Sequence, residues 1–175
     1  MIIGNGSIAN SIIDRNDVLF FASGVSDSSC HDMVKFKREI DLLCDQDIKS
    51  HLVYFSGLNI YTKSNAYAKH KIEMEALVKK RFFSYTIVRI GVCDWVKTPT
   101  TILNHYRNII KTGRPIVYNS DDMIRHVLTL KEFQYWLSLI RVGQREEMNI
   151  TGRMVTVPEL IEELKNENLN TSTSK

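Results

Sequence analysis

The sequence has few cysteines and no long apolar run, and both features narrow the possible classes of protein. The three cysteines of the 175-residue chain are widely spaced, so we expect reduced thiols rather than a disulfide framework. The apolar runs are far shorter than the roughly 20 residues that a membrane-spanning helix needs. No charged and apolar leader opens the chain. Together these features predict a cytoplasmic protein that does not associate with membranes.

The charge is nearly balanced, with 23 basic against 20 acidic side chains. The basic side chains are scattered, so we expect no nucleic-acid partner. The five histidines share no ligand spacing with one another or with the cysteines, so we expect no metal site. With 43% hydrophobic and 25% charged residues, the composition is that of a globular domain. We expect one domain over residues 1–167, followed by a disordered polar tail over residues 168–175.

Short apolar runs alternate with helical patterns along the chain. The strand candidates are Met1–Ile3, Val18–Ala22, Leu52–Phe55, Tyr85–Ile90, Ile116–Val117, His126–Leu128 and Met148–Ile150. The helix candidates are Ser7–Asp14, Met33–Cys44, Asn65–Lys80, Thr101–Lys111, Leu130–Arg141 and Val157–Leu164. Such alternation predicts an α/β domain with a mostly parallel, Rossmann-like sheet. Residues 113–167 are expected to form smaller elements beside it.

A glycine-rich turn lies between the first strand and the first helix candidate. Its residues are Gly4, Asn5, Gly6, Ser7, Ile8 and Ala9, in the order G-x-G-x-x-A. Glycines there permit a tight turn and the approach of a pyrophosphate, and a helix N-terminus attracts the anion. These six residues are therefore candidates for cofactor binding. An ordinary tight strand–helix turn explains the motif equally well, so both interpretations stay open.

Tyr67 and Lys71 form a Tyr-x-x-x-Lys pair on a predicted helix. Four residues of separation place both side chains on one helix face. An adjacent ammonium favours the phenolate and lowers the tyrosine pKa, which suits the tyrosine to acid–base chemistry. The pattern is common, and a core tyrosine beside a solvated lysine is the alternative.

Several segments, taken in chain order, resemble the extended short-chain dehydrogenase/reductase family, which contains NAD-dependent sugar-nucleotide epimerases and dehydratases. The resemblance runs from Met1 to about Leu164. The Gly4–Ala9 turn resembles the family's phosphate turn, and Asp17–Val25 its fourth strand. Leu52–Tyr61 is similar to its fifth strand and active-site serine/threonine segment, and Tyr67-x-x-x-Lys71 matches its catalytic pair.

This resemblance implies a site and a reaction class. Tyr67, Lys71 and Ser56 would be catalytic, with Tyr67 moving a proton and Ser56 polarising a carbonyl oxygen. NAD or NADP would be held by Gly4–Ala9, Ala22, Ser23 and Lys71. The substrate would be a nucleotide sugar or a small sugar, in surface polysaccharide or nucleotide-sugar metabolism.

Two departures from the family pattern favour an alternative. Only Ile12–Asn16 separates the first helix candidate from the strand that resembles the family's fourth, so the second and third strands are missing. The acidic residue that would hold the adenosine ribose therefore has no place. Gly57 also stands where the family has its serine or threonine. These departures favour a non-catalytic relative that acts as a binding or assembly partner.

The missing strands also predict the order of the sheet. If the first strand leads directly to the second, the order runs monotonically, and right-handed crossovers place every early helix on one face. The other face would then be bare and apolar, with an open edge. We expect a second chain to cover it, as a homodimer or another homo-oligomer, or as a different subunit.

Overall fold

Two sheets of different size organise the protein. The computed structural model describes residues 1–98, 101–116 and 124–172. The strands in these residues are β1 (Ile2–Ile3), β2 (Leu19–Phe21), β3 (Leu52–Gly57), β4 (Tyr85–Ile90), β5 (Val92–Cys93), β6 (Ile124–Leu128), β7 (Arg145–Ile150) and β8 (Arg153–Thr156). The helices are α1 (Met33–Cys44), α2 (Ala66–Arg81), α3 (Ile102–Thr112), α4 (Leu130–Ser138) and α5 (Val157–Ser172).

The main sheet is entirely parallel, in the order β1-β2-β3-β4-β7. The predicted α/β class and monotonic order are therefore confirmed. Helices α1 and α2 pack on one face, where Leu43, Met74 and Val78 join Leu52 and Ile87 of the strands in one core cluster. Because β1 pairs only with β2 among the described strands, it forms one edge of this sheet.

The opposite face of the main sheet is covered by the chain itself. Phe133, Leu137 and Ile140, from α4 and the turn after it, pack with Phe55 and Val88 in a second core cluster. The ring centroids of Phe133 and Phe55 lie 5.8 Å apart. The prediction of a bare apolar face was therefore wrong. Helix α4 lies in the long connection from β4 to β7, and the sequence pattern does not tell which face such a helix covers.

The smaller sheet has the order β5-β6-β8, in which β6 and β8 are antiparallel. Its core joins Leu103 and Tyr106 of α3 to Leu160 and Ile161 of α5, with Val127 of β6. These elements begin before residue 113, so the smaller unit is larger than the sequence predicted. Strands β5 and β8 were not predicted.

The first predicted helix, Ser7–Asp14, was also wrong. A 3₁₀ helix of three residues, Ala9–Ser11, stands there instead, because Ile12 adopts extended backbone and buries its side chain in the core. Of the predicted strand Ile116–Val117, Ile116 belongs to no strand and residue 117 lies outside the described residues. Helix α5 continues through Ser172, within the segment predicted as a disordered tail, and residues 173–175 lie outside the described residues.

Candidate active site

A cleft of about 1020 Å³ opens at the carboxyl ends of β1 to β4. This edge is where open α/β sheets place their ligands. Seven of the residues predicted for the site line the cleft: Gly6, Ser7, Ile8, Ala22, Ser56, Tyr67 and Lys71. The other four, Gly4, Asn5, Ala9 and Ser23, do not line it.

The glycine turn enters the cleft only in part. Gly4 has a φ of +130°, and a Cβ there would lie 2.5 Å from the carbonyl oxygen of Ala22, so glycine is required by conformation and by space. A Cβ on Gly6 would meet no atom within 4 Å. Gly4 therefore joins β1 closely to β2, whereas Gly6 leaves open space beside the cleft.

Helix α2 places Tyr67 and Lys71 at the cleft. Asn65 caps the helix by accepting the backbone N–H of Ala68 at 2.9 Å. Arg89 of β4 donates from Nε to Glu75 of α2 at 2.9 Å, which fixes the helix against the sheet. Tyr67 is buried and reaches the space above Gly57, where a Cβ would lie 3.9 Å from the phenol oxygen.

Two residues of the cleft wall, Ser56 and Asn59, have a buried polar atom without a hydrogen-bond partner in the part of the chain that the structure describes. Ser56 is 4% exposed, and its Oγ has no hydrogen-bond partner among the described residues. Asn59 Oδ1 is also buried without a partner there, and it would lie 2.7 Å from a Cβ on Gly57. The Asn59 amide thus occupies the space beside Gly57 that the family's hydroxyl was expected to fill. A buried polar atom without a partner is costly, and a ligand with hydroxyl groups would supply the missing partner.

Lys71 is bound to a buried carboxylate. Its Nζ donates to Glu39 Oε1 at 2.9 Å and to the Tyr54 hydroxyl at 3.0 Å. Lys71 is 2% exposed and Glu39 is 0% exposed. The ammonium was expected to act on Tyr67, but its nearest charged partner is Glu39.

The pKa values follow from this arrangement. Burial alone would raise the pKa of Glu39, but the Lys71 ammonium and the hydrogen bonds from His70, Tyr54 and the Val25 amide lower it to about 2. Burial raises the pKa of Tyr67 well above its ordinary value, and the Glu39 carboxylate raises it further. The sequence predicted that Lys71 lowers the pKa of Tyr67, whereas burial, Glu39 and Asp27 together raise it.

The sequence analysis did not identify Glu39, Tyr54, His70 or Asn59. One signal for Glu39 was present, since it lies three residues after Phe36 and four before Leu43 on the apolar face of α1. A charged residue on a buried helix face needs a partner of opposite charge. The sequence offered no means of choosing that partner, because Lys71 lies 32 residues further along the chain.

Several solved structures have a fold similar to that of this chain. MoeE5, solved in complex with UDP-glucuronic acid and NAD, has a TM-score of 0.68 and 14% identity, over 86% of this chain and 62% of that chain. UDP-glucuronic acid 4-epimerase from Bacillus cereus, solved with UDP-glucuronic acid and NAD, has a TM-score of 0.65 and 13% identity, over 87% and 59%. dTDP-glucose 4,6-dehydratase from Bacillus anthracis str. Ames, solved with NAD, has a TM-score of 0.64 and 15% identity, over 86% and 56%.

The chain has the fold of the extended short-chain dehydrogenases/reductases. It spans 56–62% of the length of these three structures. No family model matches the sequence, and no curated protein is significantly similar to it. At 13–15% identity the similarity shows the fold, and the chemistry must be argued from the site.

The described residues do not form a complete site for NAD or NADP. The glycine turn leads into a 3₁₀ helix of three residues, which offers no α-helix N-terminus to a pyrophosphate. Strand β1 has no neighbour on its outer side in the described sheet, so no residue there reaches an adenosine ribose. Ser23 does not line the cleft, and its hydroxyl accepts a hydrogen bond from Arg38 at 3.1 Å. The described residues therefore support no reaction step that involves a bound dinucleotide.

Residues 1–98, 101–116 and 124–172 lack two further features. No group of three or more histidine, cysteine, aspartate or glutamate side chains in this part of the chain is placed to hold a metal ion. No helix within it is long and apolar enough to cross a membrane.

Proposed function

We propose that the protein is a shortened member of the extended short-chain dehydrogenase/reductase family that binds a nucleotide-linked sugar in the cleft. The observation that carries this proposal is the buried Ser56 Oγ, which has no hydrogen-bond partner among the described residues and belongs to a cleft wall that Tyr67 also lines. A sugar supplies several hydroxyl groups, each able to donate and to accept. Neighbours of the same fold were solved with UDP-glucuronic acid, which supports this ligand class.

Each site residue has a defined part in this proposal. Ser56 and Asn59 pair with hydroxyl groups of the sugar. Tyr67 is a neutral phenol at neutral pH, because its pKa is raised by burial and by Glu39. It therefore donates a hydrogen bond to a sugar oxygen.

NAD(P)-dependent epimerase, dehydratase or reductase activity is the enzymatic form of the proposal. Two of the neighbours described above contain NAD together with a UDP-sugar. The second candidate is a non-catalytic relative that binds the nucleotide sugar without turning it over. The cancelled charge of Lys71 favours this candidate, because acid–base catalysis near neutral pH needs a lowered tyrosine pKa.

Calorimetric titration tests both forms. We expect UDP-glucuronic acid to bind, and we expect Ser56→Ala and Tyr67→Phe each to weaken binding about threefold to tenfold, the size of one hydrogen bond. Ser138→Ala and Tyr135→Phe, at exposed positions on α4, are the matched controls and should bind as the native protein does. Titration of NAD and NADP, followed by NMR of the sugar, separates the enzyme from the binding protein. Absence of heat with UDP-glucuronic acid at millimolar concentration would overturn the proposal.

We also propose that the protein forms a homo-oligomer, through the open edge of the main sheet rather than through the face of that sheet. The face is covered by α4, whereas β1 exposes one side in the described sheet. Open strand edges favour pairing with another chain. Sedimentation that gives a stable monomer at micromolar concentration would contradict it.

A further inference from the structure

Glu39 is a buried carboxylate that contacts the cleft-lining residue Lys71. Its Oε1 accepts from Lys71 at 2.9 Å and from the Tyr54 hydroxyl at 2.7 Å. Its Oε2 accepts from the Val25 amide at 2.7 Å and lies 3.0 Å from His70 Nε2. Four hydrogen-bonding partners compensate a buried carboxylate for the loss of its hydration.

This carboxylate joins α1 to two parts of the cleft wall. Glu39 belongs to α1, Lys71 to α2, and Val25 to the turn that follows β2. A Cβ on Gly24 would lie 2.7 Å from both Glu39 Oε1 and Lys71 Nζ, so the backbone of this turn rests directly on the ion pair. Gly24 and Val25 both line the cleft. The position of this wall therefore depends on Glu39.

The same carboxylate sets the charge that Tyr67 experiences. The Lys71 ammonium lies 5.8 Å from the centroid of the Tyr67 ring but 2.9 Å from Glu39. An opposite charge at that distance cancels most of the field of the ammonium at the more distant ring. The acidic groups that act on Tyr67 are Glu39 and, from the turn after β2, Asp27.

We propose that Glu39 is a positioning residue that holds the turn after β2 and binds the Lys71 ammonium, so that the ammonium acts on Glu39 rather than on the Tyr67 hydroxyl. The part that concerns the ligand rests on the proposed function, whereas the effect on Tyr67 can be measured without a ligand. Burial and Glu39 both raise the pKa of Tyr67, which agrees with this role.

The test is a pH titration by NMR of protein labelled with ¹³C at the tyrosine Cζ. The resonance of Tyr67 is identified by its absence from Tyr67→Phe. In Glu39→Gln the carboxylate that raises the pKa of Tyr67 is absent, so the Tyr67 resonance should begin its tyrosinate shift at a lower pH than in the native protein. The double variant Glu39→Gln/Lys71→Met has no charge at either position and should return the onset towards the native value.

Three outcomes decide the proposal. An equal onset in native protein and in folded Glu39→Gln would overturn it, as would an onset in the double variant that stays at the value for Glu39→Gln. If Glu39→Gln does not fold, the double variant alone decides, and an onset well below the native value would overturn the proposal.

Binding is measured separately: Glu39→Gln should bind UDP several-fold more tightly at low salt, and that gain should disappear with Lys71→Met. Absence of UDP binding in every variant would contradict the proposed function and leave the effect on Tyr67 to the titration.

Discussion

Replacement of Lys71 by methionine should destabilise the fold strongly, and the loss should depend on pH. The variant leaves the Glu39 carboxylate at 0% exposure without its ammonium partner. Removal of one partner from a buried ion pair costs about 3–5 kcal/mol.

The sign of the pH dependence follows from the pKa of Glu39 in each protein. In the native protein that pKa is lowered, so its contribution to stability is complete above pH 4.5 and decreases towards pH 2. Without Lys71, burial raises the pKa of Glu39, so protonation stabilises the variant as the pH falls. The difference in the free energy of unfolding between native protein and Lys71→Met should therefore be largest near pH 8 and smaller at pH 5.

Urea unfolding followed by circular dichroism at several pH values measures this difference. Lys69→Met, at an exposed position of the same helix, is the matched control and should change the free energy of unfolding by less than about 0.5 kcal/mol. Equal effects of the two substitutions at every pH would refute the account of a buried Glu39–Lys71 pair.

Three further predictions concern the fold. Gly4→Ala should lower the free energy of unfolding in urea by about 1–3 kcal/mol or more, because the φ of +130° and the Ala22 carbonyl oxygen exclude a Cβ at this position. Gly6→Ala should leave the free energy of unfolding nearly unchanged. Equal effects of the two substitutions would contradict the turn geometry. Phe133→Ala should cost about 3–5 kcal/mol, because this fully buried ring fills the core beneath α4; a loss below about 1 kcal/mol would contradict the covered face. Burial and Arg15 lower the pKa of His51 from 6.5 in the folded protein. The unfolded chain therefore binds a proton at a higher pH than the folded protein does, so the free energy of unfolding should fall as the pH decreases from 7 to 5. His51→Gln should weaken that dependence, and an unchanged slope would contradict it.

Local patterns predicted much of the sheet and of its covering helices. Helix α1 has the predicted bounds because Asp32 caps it and its apolar residues recur at helical spacing. Strand β4 has the predicted bounds because its six residues are mostly β-branched or apolar and lie in the middle of the sheet. In both elements the local preference and the tertiary environment agree.

The failures occur where distant partners decide the structure. The segment after Gly6 has a helical pattern, but Ile12 leaves the helix to join the core, and Ser11 is engaged by Trp95 and Gln134 from far along the chain. Strand β8 forms through antiparallel pairing with β6, which the short segment Arg153–Thr156 does not reveal alone.

The sequence predicted part of the cleft lining but not the contacts around it. Tyr67, Lys71 and Ser56 line one cleft, as their spacing and the family resemblance suggested. Glu39 forms an ion pair with Lys71, and the Asn59 amide lies in the space beside Gly57. Both effects depend on contacts between separate elements, which no single segment of the sequence contains.

A crystal structure with UDP-glucuronic acid would test the central claim most directly. The proposal predicts the sugar at the carboxyl ends of β3 and β4, with its oxygens within about 3.2 Å of Ser56 Oγ and of the Tyr67 hydroxyl. A ligand bound outside this cleft, or a sugar that leaves Ser56 without a partner, would contradict the account.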